Sequence, residues 1–209
     1  MFKVQVRFLL LALIFPLLLN ATHLLRNDLL NLQAVKLLDE IGTELQEKTS
    51  VNIYAIATNE HFPERFNLVE YSKKYEENLS KPYVIFLFAP YALITQKSQA
   101  HGRVGIIPSS QKVRDMYDYD DVRDAAVNVV AVKDSNTDED KFNVSVLQAY
   151  SELADNIAMY KSVKLDKSIP NDMGTLIAIL RILVYIGTFL VVWVFFLRPI
   201  YIRMKNGKK

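Results

Sequence analysis

Apolar and polar positions along the chain follow three patterns: two continuous apolar blocks near the ends, and helix-period and strand-period segments between them. Over residues 32–48, Leu32, Val35, Leu38, Ile41 and Leu45 recur at intervals of three, three, three and four, which predicts one face of a helix. Val51, Ile53, Ala55 and Ala57 then alternate with Tyr54 and Ile56, which predicts a strand apolar on both faces. Residues 64–79 read as a second helix, with Phe66, Val69, Lys73 and Glu76 on one stripe and Leu68, Tyr71 and Tyr75 on its neighbour. Tyr83 to Phe88 is a solid run of β-branched and aromatic residues, the pattern of a central strand buried on both sides, and Ala89-Pro90 ends it.

Residues 91–108 predict a hairpin closed by Pro108. Val122, Ala125, Ala126 and Val129 fit a helix over Val122 to Val130. Residues 134–141 form a polar turn, and Val146, Ala149, Tyr150, Leu153, Ile157 and Tyr160 stripe a last helix from Phe142 to Tyr160. Helices alternating with strands predict an α/β fold: a three-layer α/β/α sandwich on a short, mostly parallel sheet, plus one C-terminal transmembrane helix.

The apolar blocks set the expected domain plan. Residues 1–21 hold Phe8 to Leu19 behind Lys3 and Arg7, and two readings stay open: a signal peptide ending at Leu19-Asn20-Ala21, or an uncleaved apolar helix. Residues 22–165 are the α/β domain and 166–172 a linker. Residues 173–197 read as a transmembrane helix, and 198–209 as a basic cytoplasmic tail with Arg198, Arg203, Lys205, Lys208 and Lys209. Both readings of the start put the domain outside, so the expected localisation is single-pass in the inner membrane, with a periplasmic domain and a cytoplasmic C-terminus. Arg181 lies inside the apolar block. It either snorkels to the headgroups or pairs with an acidic residue of a partner's membrane helix.

Charge sharpens this plan. The chain has 209 residues, with 25 Lys and Arg against 23 Asp and Glu. All the acids fall within residues 22–172, beside 17 basic residues, so an acidic domain sits between basic ends. There is no cysteine, which excludes disulfides, zinc–thiolate sites, iron–sulfur clusters and thiol catalysis. His23, His61 and His101 are the three histidines, and no nucleophile elbow, phosphate loop or dinucleotide fingerprint occurs. No nucleic acid or nucleotide partner is expected. Ser109-Ser110 near His101 is the nearest approach to an acyl-transfer pair.

Acidic clusters are the remaining chemical candidates. Asp134, Asn136 and Asp138 space oxygen ligands two apart, as a calcium loop begins, but Glu139 stands where such a loop needs Gly and Ser145 where it needs Glu. Asp118, Asp120, Asp121 and Asp124 form a second cluster, interleaved with Tyr117 and Tyr119. Carboxylates of this kind hold a hard cation in many phosphatases. They read otherwise as a solvated face and helix caps. Calcium is the one cofactor this spacing admits, and none is otherwise expected.

The chain resembles the TPM domain family. The resemblance lies in KLLDEIGTELQEKTSVNIYAIAT, a helix running into a buried strand, and in NLVEYSKKYEENLSKPYVIFLFAP, a helix followed by an apolar strand. GRVGIIP and DEDKFNVSVLQAYSELADNIA correspond to a glycine-containing strand and a closing helix, so residues 32–160 are covered. The resemblance implies a domain that assists or repairs a larger complex, and also implies weak acid phosphatase activity or calcium binding. Two functions follow as expectations. One is a membrane-anchored periplasmic accessory, assembly or protective factor that binds a membrane protein complex, in contact with the lipid bilayer. The other is a divalent-metal-dependent envelope phosphatase, for which the Asp118–Asp124 or the Asp134–Asp140 cluster must converge in one cleft at the sheet's carboxyl end.

Overall fold

Strand order follows chain order. Strand β1 (Leu24–Asn27) pairs in parallel with β2 (Asn52–Ala57), and β2 pairs in parallel with β3 (Tyr83–Thr95). Strand β4 (Ala100–Pro108) returns antiparallel on the far side of β3. The computed structural model describes residues 23–132, 135–169 and 172–198, with side chains in the last stretch from Ile182 onward. The chain divides into two units, the boundary falling after Ile169.

Alternation along the strands builds a core on each side of the sheet. Val51, Ile53, Ala55, Ala57, Val84, Phe86 and Phe88 face one way, while Ile56, Tyr83, Ile85, Leu87 and Ala89 face the other. The first face is covered by three helices: α1 (Leu32–Thr49), α4 (Tyr119–Ala131) and α5 (Asp138–Tyr160), with the single turn α3 (Gln111–Arg114) beside them. The second face is covered by α2 (Leu68–Glu76), with Phe62, Phe66, Tyr71 and Tyr75 filling the space above the strands. The chain therefore leaves β1 toward one face and β2 toward the other.

Local chemistry fixes the helix starts. The Asn31 side chain accepts the Ala34 N–H at 2.9 Å, and Asn67 accepts the N–H groups of Val69 and Glu70. Thr137 caps α5 at Asp140, so this helix begins four residues before the apolar stripe predicts, with Asp138, Glu139 and Asp140 on its positive end. The buried side of α1 is Ala34, Leu38, Ile41, Gly42 and Leu45. That is a rotation from the predicted stripe, and it leaves Leu32 89% exposed. The segment after α5 folds back on α1: Leu165 is buried, and Glu44 accepts the backbone N–H groups of Asp166 and Lys167 at 2.7 and 2.8 Å.

The second unit holds α6 (Asp172–Val192), which runs into a π-helical stretch, Trp193–Leu197. Among the described residues no helix is long and apolar enough to cross a membrane. This corrects the expected fold class on one count, the C-terminal transmembrane helix. The sheet is four-stranded and mixed: two of its three pairings are parallel, as a mostly parallel sheet requires, and β4 returns antiparallel. The uncharged run from Ile182 to Leu197 reaches at most ~24 Å as α-helix, short of a ~30 Å hydrocarbon core, and its last turn is wound as π-helix. The same finding corrects the expected single-pass inner-membrane localisation. The apolar start, residues 1–21, and the tail from residue 199 lie outside the described residues.

Candidate functional site

A crevice forms in an open α/β sheet where the chain leaves neighbouring strands toward opposite faces, at their carboxyl ends. Here that place lies between β1 and β2. The turn after β1 brings Asn27, Asp28, Leu29 and Leu30 to it, and Thr58, Asn59 and Glu60 follow β2. A cleft of about 430 Å³ opens there, lined by Asn27, Asp28, Tyr91, Asp138, Glu139 and Phe142, with Leu29 and Leu30 completing the wall. The Asn27 side chain shapes the turn, accepting the Leu30 N–H at 2.8 Å and donating to the Leu30 carbonyl at 2.9 Å. Asn143 joins α5 to this turn by accepting the Asn31 N–H at 3.0 Å.

One wall of the cleft is aromatic. His61 stacks on Tyr91 at 5.2 Å, and Tyr91 meets Phe142 edge-on at 5.8 Å. Phe142 continues the row to Phe88 of β3 at 5.7 Å. The rest of the lining is acidic, from Asp28 at the crest and from Asp138 and Glu139 in the first turn of α5. Carboxylates beside aromatic faces suit a cation with an apolar stem, such as a Lys or Arg side chain.

Behind the cleft, Arg26 ties the crest to α2. Its guanidinium donates to Asp28 Oδ2 at 2.8 Å, to Glu60 Oε1 and to the Tyr71 hydroxyl. Tyr71 in turn donates to Glu60 at 3.1 Å, and Lys74 sits 3.7 Å over the Tyr71 ring. Asp28 also accepts the Thr58 hydroxyl at 3.3 Å and the Asn59 N–H at 3.2 Å. Burial pushes the Glu60 carboxyl up, but the hydrogen bonds from Arg26 and Tyr71 outweigh it and hold it below the usual range. This contribution to stability is complete above pH 4.5 and fades as the pH falls through the folded value. Arg26→Ala leaves two carboxylates without their cation. It is expected to cost about 2 kcal/mol, read as a lower urea midpoint at pH 7.

The acidic candidates named from sequence do not converge. Asp118 is the N-cap of α4, accepting the Asp120 N–H at 2.8 Å and the Asp121 N–H at 3.3 Å, and its own N–H goes to Asn156 near the end of α5. Asp120 and Asp124 both pair with Arg123 at 2.8 Å, and Asp121 is exposed on the same turn. Asp138 sits at the other end of α5, about 27 Å away at 1.5 Å per residue, and is the one described candidate that lines the cleft. Asn136 lies exposed in the approach to α5. Asp134 and the Arg181 side chain lie outside the described residues. Among the described residues no three His, Cys, Asp or Glu side chains gather to hold a metal ion. Ser109 accepts the Tyr83 N–H at 2.9 Å, and His101 stands at the far end of β4, about 26 Å off at strand spacing.

Asp118→Ala is therefore expected to cost about 1 kcal/mol as a lost cap, in a thermal melt, and nothing in binding at the cleft. Arg26, Asp28, Tyr91 and Phe142 were not singled out from sequence. The usable signal was the rule that places sites at strand carboxyl ends, and it needed β1, which no pattern announced. Comparison of the chain with models of known protein families and with curated proteins finds no match.

Proposed function

We propose that the chain is a non-catalytic accessory protein, an α/β domain of TPM type that assists or protects a larger protein complex by gripping a basic segment of one partner. The observation that carries this reading is the cleft at the switch point between β1 and β2, with carboxylates and aromatic rings on its walls. The charged groups behind it, Arg26, Asp28 and Glu60, are engaged with one another, which suits a rigid docking surface. A lysine or arginine side chain entering it would lay its stem on Tyr91 and Phe142 and its charge beside Asp138 and Glu139.

The phosphatase alternative needs the Asp118–Asp124 or the Asp134–Asp140 cluster to converge in one cleft, and among the described residues no three acidic side chains gather to hold a metal ion. The test uses the tagged full chain as bait, beside the variant Asp138→Asn with Glu139→Gln and the control Asp120→Asn. A defined partner retained by wild type and control, and bound about tenfold more weakly by the double variant, is the expected result. Equal binding by all three overturns it. Phosphate-ester hydrolysis with added calcium or magnesium, lost on changing Asp118, Asp120 and Asp121 to Asn, would restore the enzyme reading.

A further inference from the structure

His23 opens the described chain and directly precedes β1. Its side chain is 1% exposed, an unusual place for an imidazole. Ala55 of β2 donates its N–H to the His23 carbonyl at 2.7 Å, so the Ile53 carbonyl, two residues earlier, points to the same side and extends past the start of β1. The His23 backbone N–H does not reach it and goes instead to Asp39 of α1 at 2.8 Å. The ring takes over: Nδ1 lies 3.0 Å from the Ile53 carbonyl, which also accepts the Tyr150 hydroxyl at 2.8 Å. Nδ1 must then carry the proton, and Nε2 is a buried acceptor without a partner among the described residues.

The groups facing the ring come from three elements. From β2, Tyr54 stacks on it at 5.9 Å. From α5 comes the hydroxyl of Tyr150, and from α1 come Gly42, which the ring abuts, and Asp39, the charged group acting on it. We propose that His23 is a proton-operated latch: neutral, it holds β1 and one wall of the cleft in the sheet, and protonated, it lets β1 go. The latch rests on the contacts just given. Its bearing on partner binding rests on the function proposed above.

A second proton on Nε2 would be a buried donor with no acceptor among the described residues, on a ring kept out of water. Asp39 favours the charged ring, but burial is the larger effect and holds the imidazole below its ordinary range. Releasing β1 is the way to hydrate it. That strand has four residues, pairs on one side alone among the described residues, and changes register between Leu24 and Arg26. Because the folded value is depressed, the stabilisation is complete above pH 6.5 and is lost as the pH falls below it. In that window the open fraction rises by at most about tenfold per pH unit.

Hydrogen exchange of the full chain at pH 7.5 and 5.5, corrected for intrinsic rates, tests the latch. Amides of Leu24–Asn27 are expected to lose protection, by at most about tenfold, at the lower pH, while those of residues 146–157 in α5 hold. His23→Gln keeps a donor for the Ile53 carbonyl and does not titrate, so its β1 protection should be the same at both values. Equal loss in that variant, or none in wild type, overturns the proposal. If the variant does not fold, the wild-type ring decides by NMR: titration near its ordinary value with β1 protection intact overturns it, and a protonated form confined to the β1-open state supports it. Failure of the partner-capture experiment leaves these outcomes untouched, so the two readings fail separately.

Discussion

Replacing Gly42 by Ala is expected to destabilise the domain by about 2 kcal/mol, although the position lies inside a helix where Ala is favoured by ~1 kcal/mol. A Cβ there would lie 2.5 Å from His23 Cγ and 2.5 Å from the Tyr150 hydroxyl oxygen. Neither neighbour can swing aside cheaply, because both are bonded to the Ile53 carbonyl. Gly42 is thus the residue that lets α1 approach β1 and α5 closely enough for the buried His23 contact. Tyr150→Phe removes one of the clashing atoms and leaves those of the His23 ring. The double variant should therefore be more stable than the sum of the single costs predicts, which a double-mutant cycle in urea measures.

Phe86→Ala is expected to cost more, about 3–5 kcal/mol. Phe86 is fully buried in the middle of β3, pairing with Ala55 on one side and Ile106 on the other, and it belongs to the core under α1, α4 and α5. Pairing with strands on both sides keeps the backbone from closing the space, so the lost transfer energy and the cavity add. The denaturant midpoint should fall with little change in slope. Val69→Ala, at a position 51% exposed on α2, should leave it within about 0.5 kcal/mol.

How far the fold could be read from sequence followed the strength of local periodicity. The faces of β2 were legible because Ile53 and Ala55 alternate with Tyr54 and Ile56 over a full strand. The stripe of α5 was legible from Val146 to Ile157, and its true start was not, since Thr137 acts as a cap by hydrogen bonding rather than hydrophobicity. Strand β3 runs on through Pro90 to Thr95, because that proline falls where the ladder with β4 is broken between Ala89 and Leu93. The predicted separate hairpin is therefore β3 and β4 themselves. Strand β1 carries two leucines and then Arg26-Asn27, too short a run for any period to show.

The cleft was hidden for a different reason. Its lining comes from residues 27–30, 91 and 138–142, which only the parallel pairing of β1 and the docking of α5 bring together. Charge clusters were visible in sequence, but counting acids could not tell a cap, Asp118, from a cleft wall, Asp138. Direction along α5 separates the two.

The most direct test of the cleft as a docking site is site-specific photo-crosslinking of the full chain in its native cells. A photoreactive residue at Tyr91 marks the cleft, and one at Asp120 marks the far end of α5. The cleft reading predicts a discrete crosslinked partner from position 91, joined through a segment rich in Lys or Arg, and none from position 120. A partner captured from position 120 and not from 91 would contradict it.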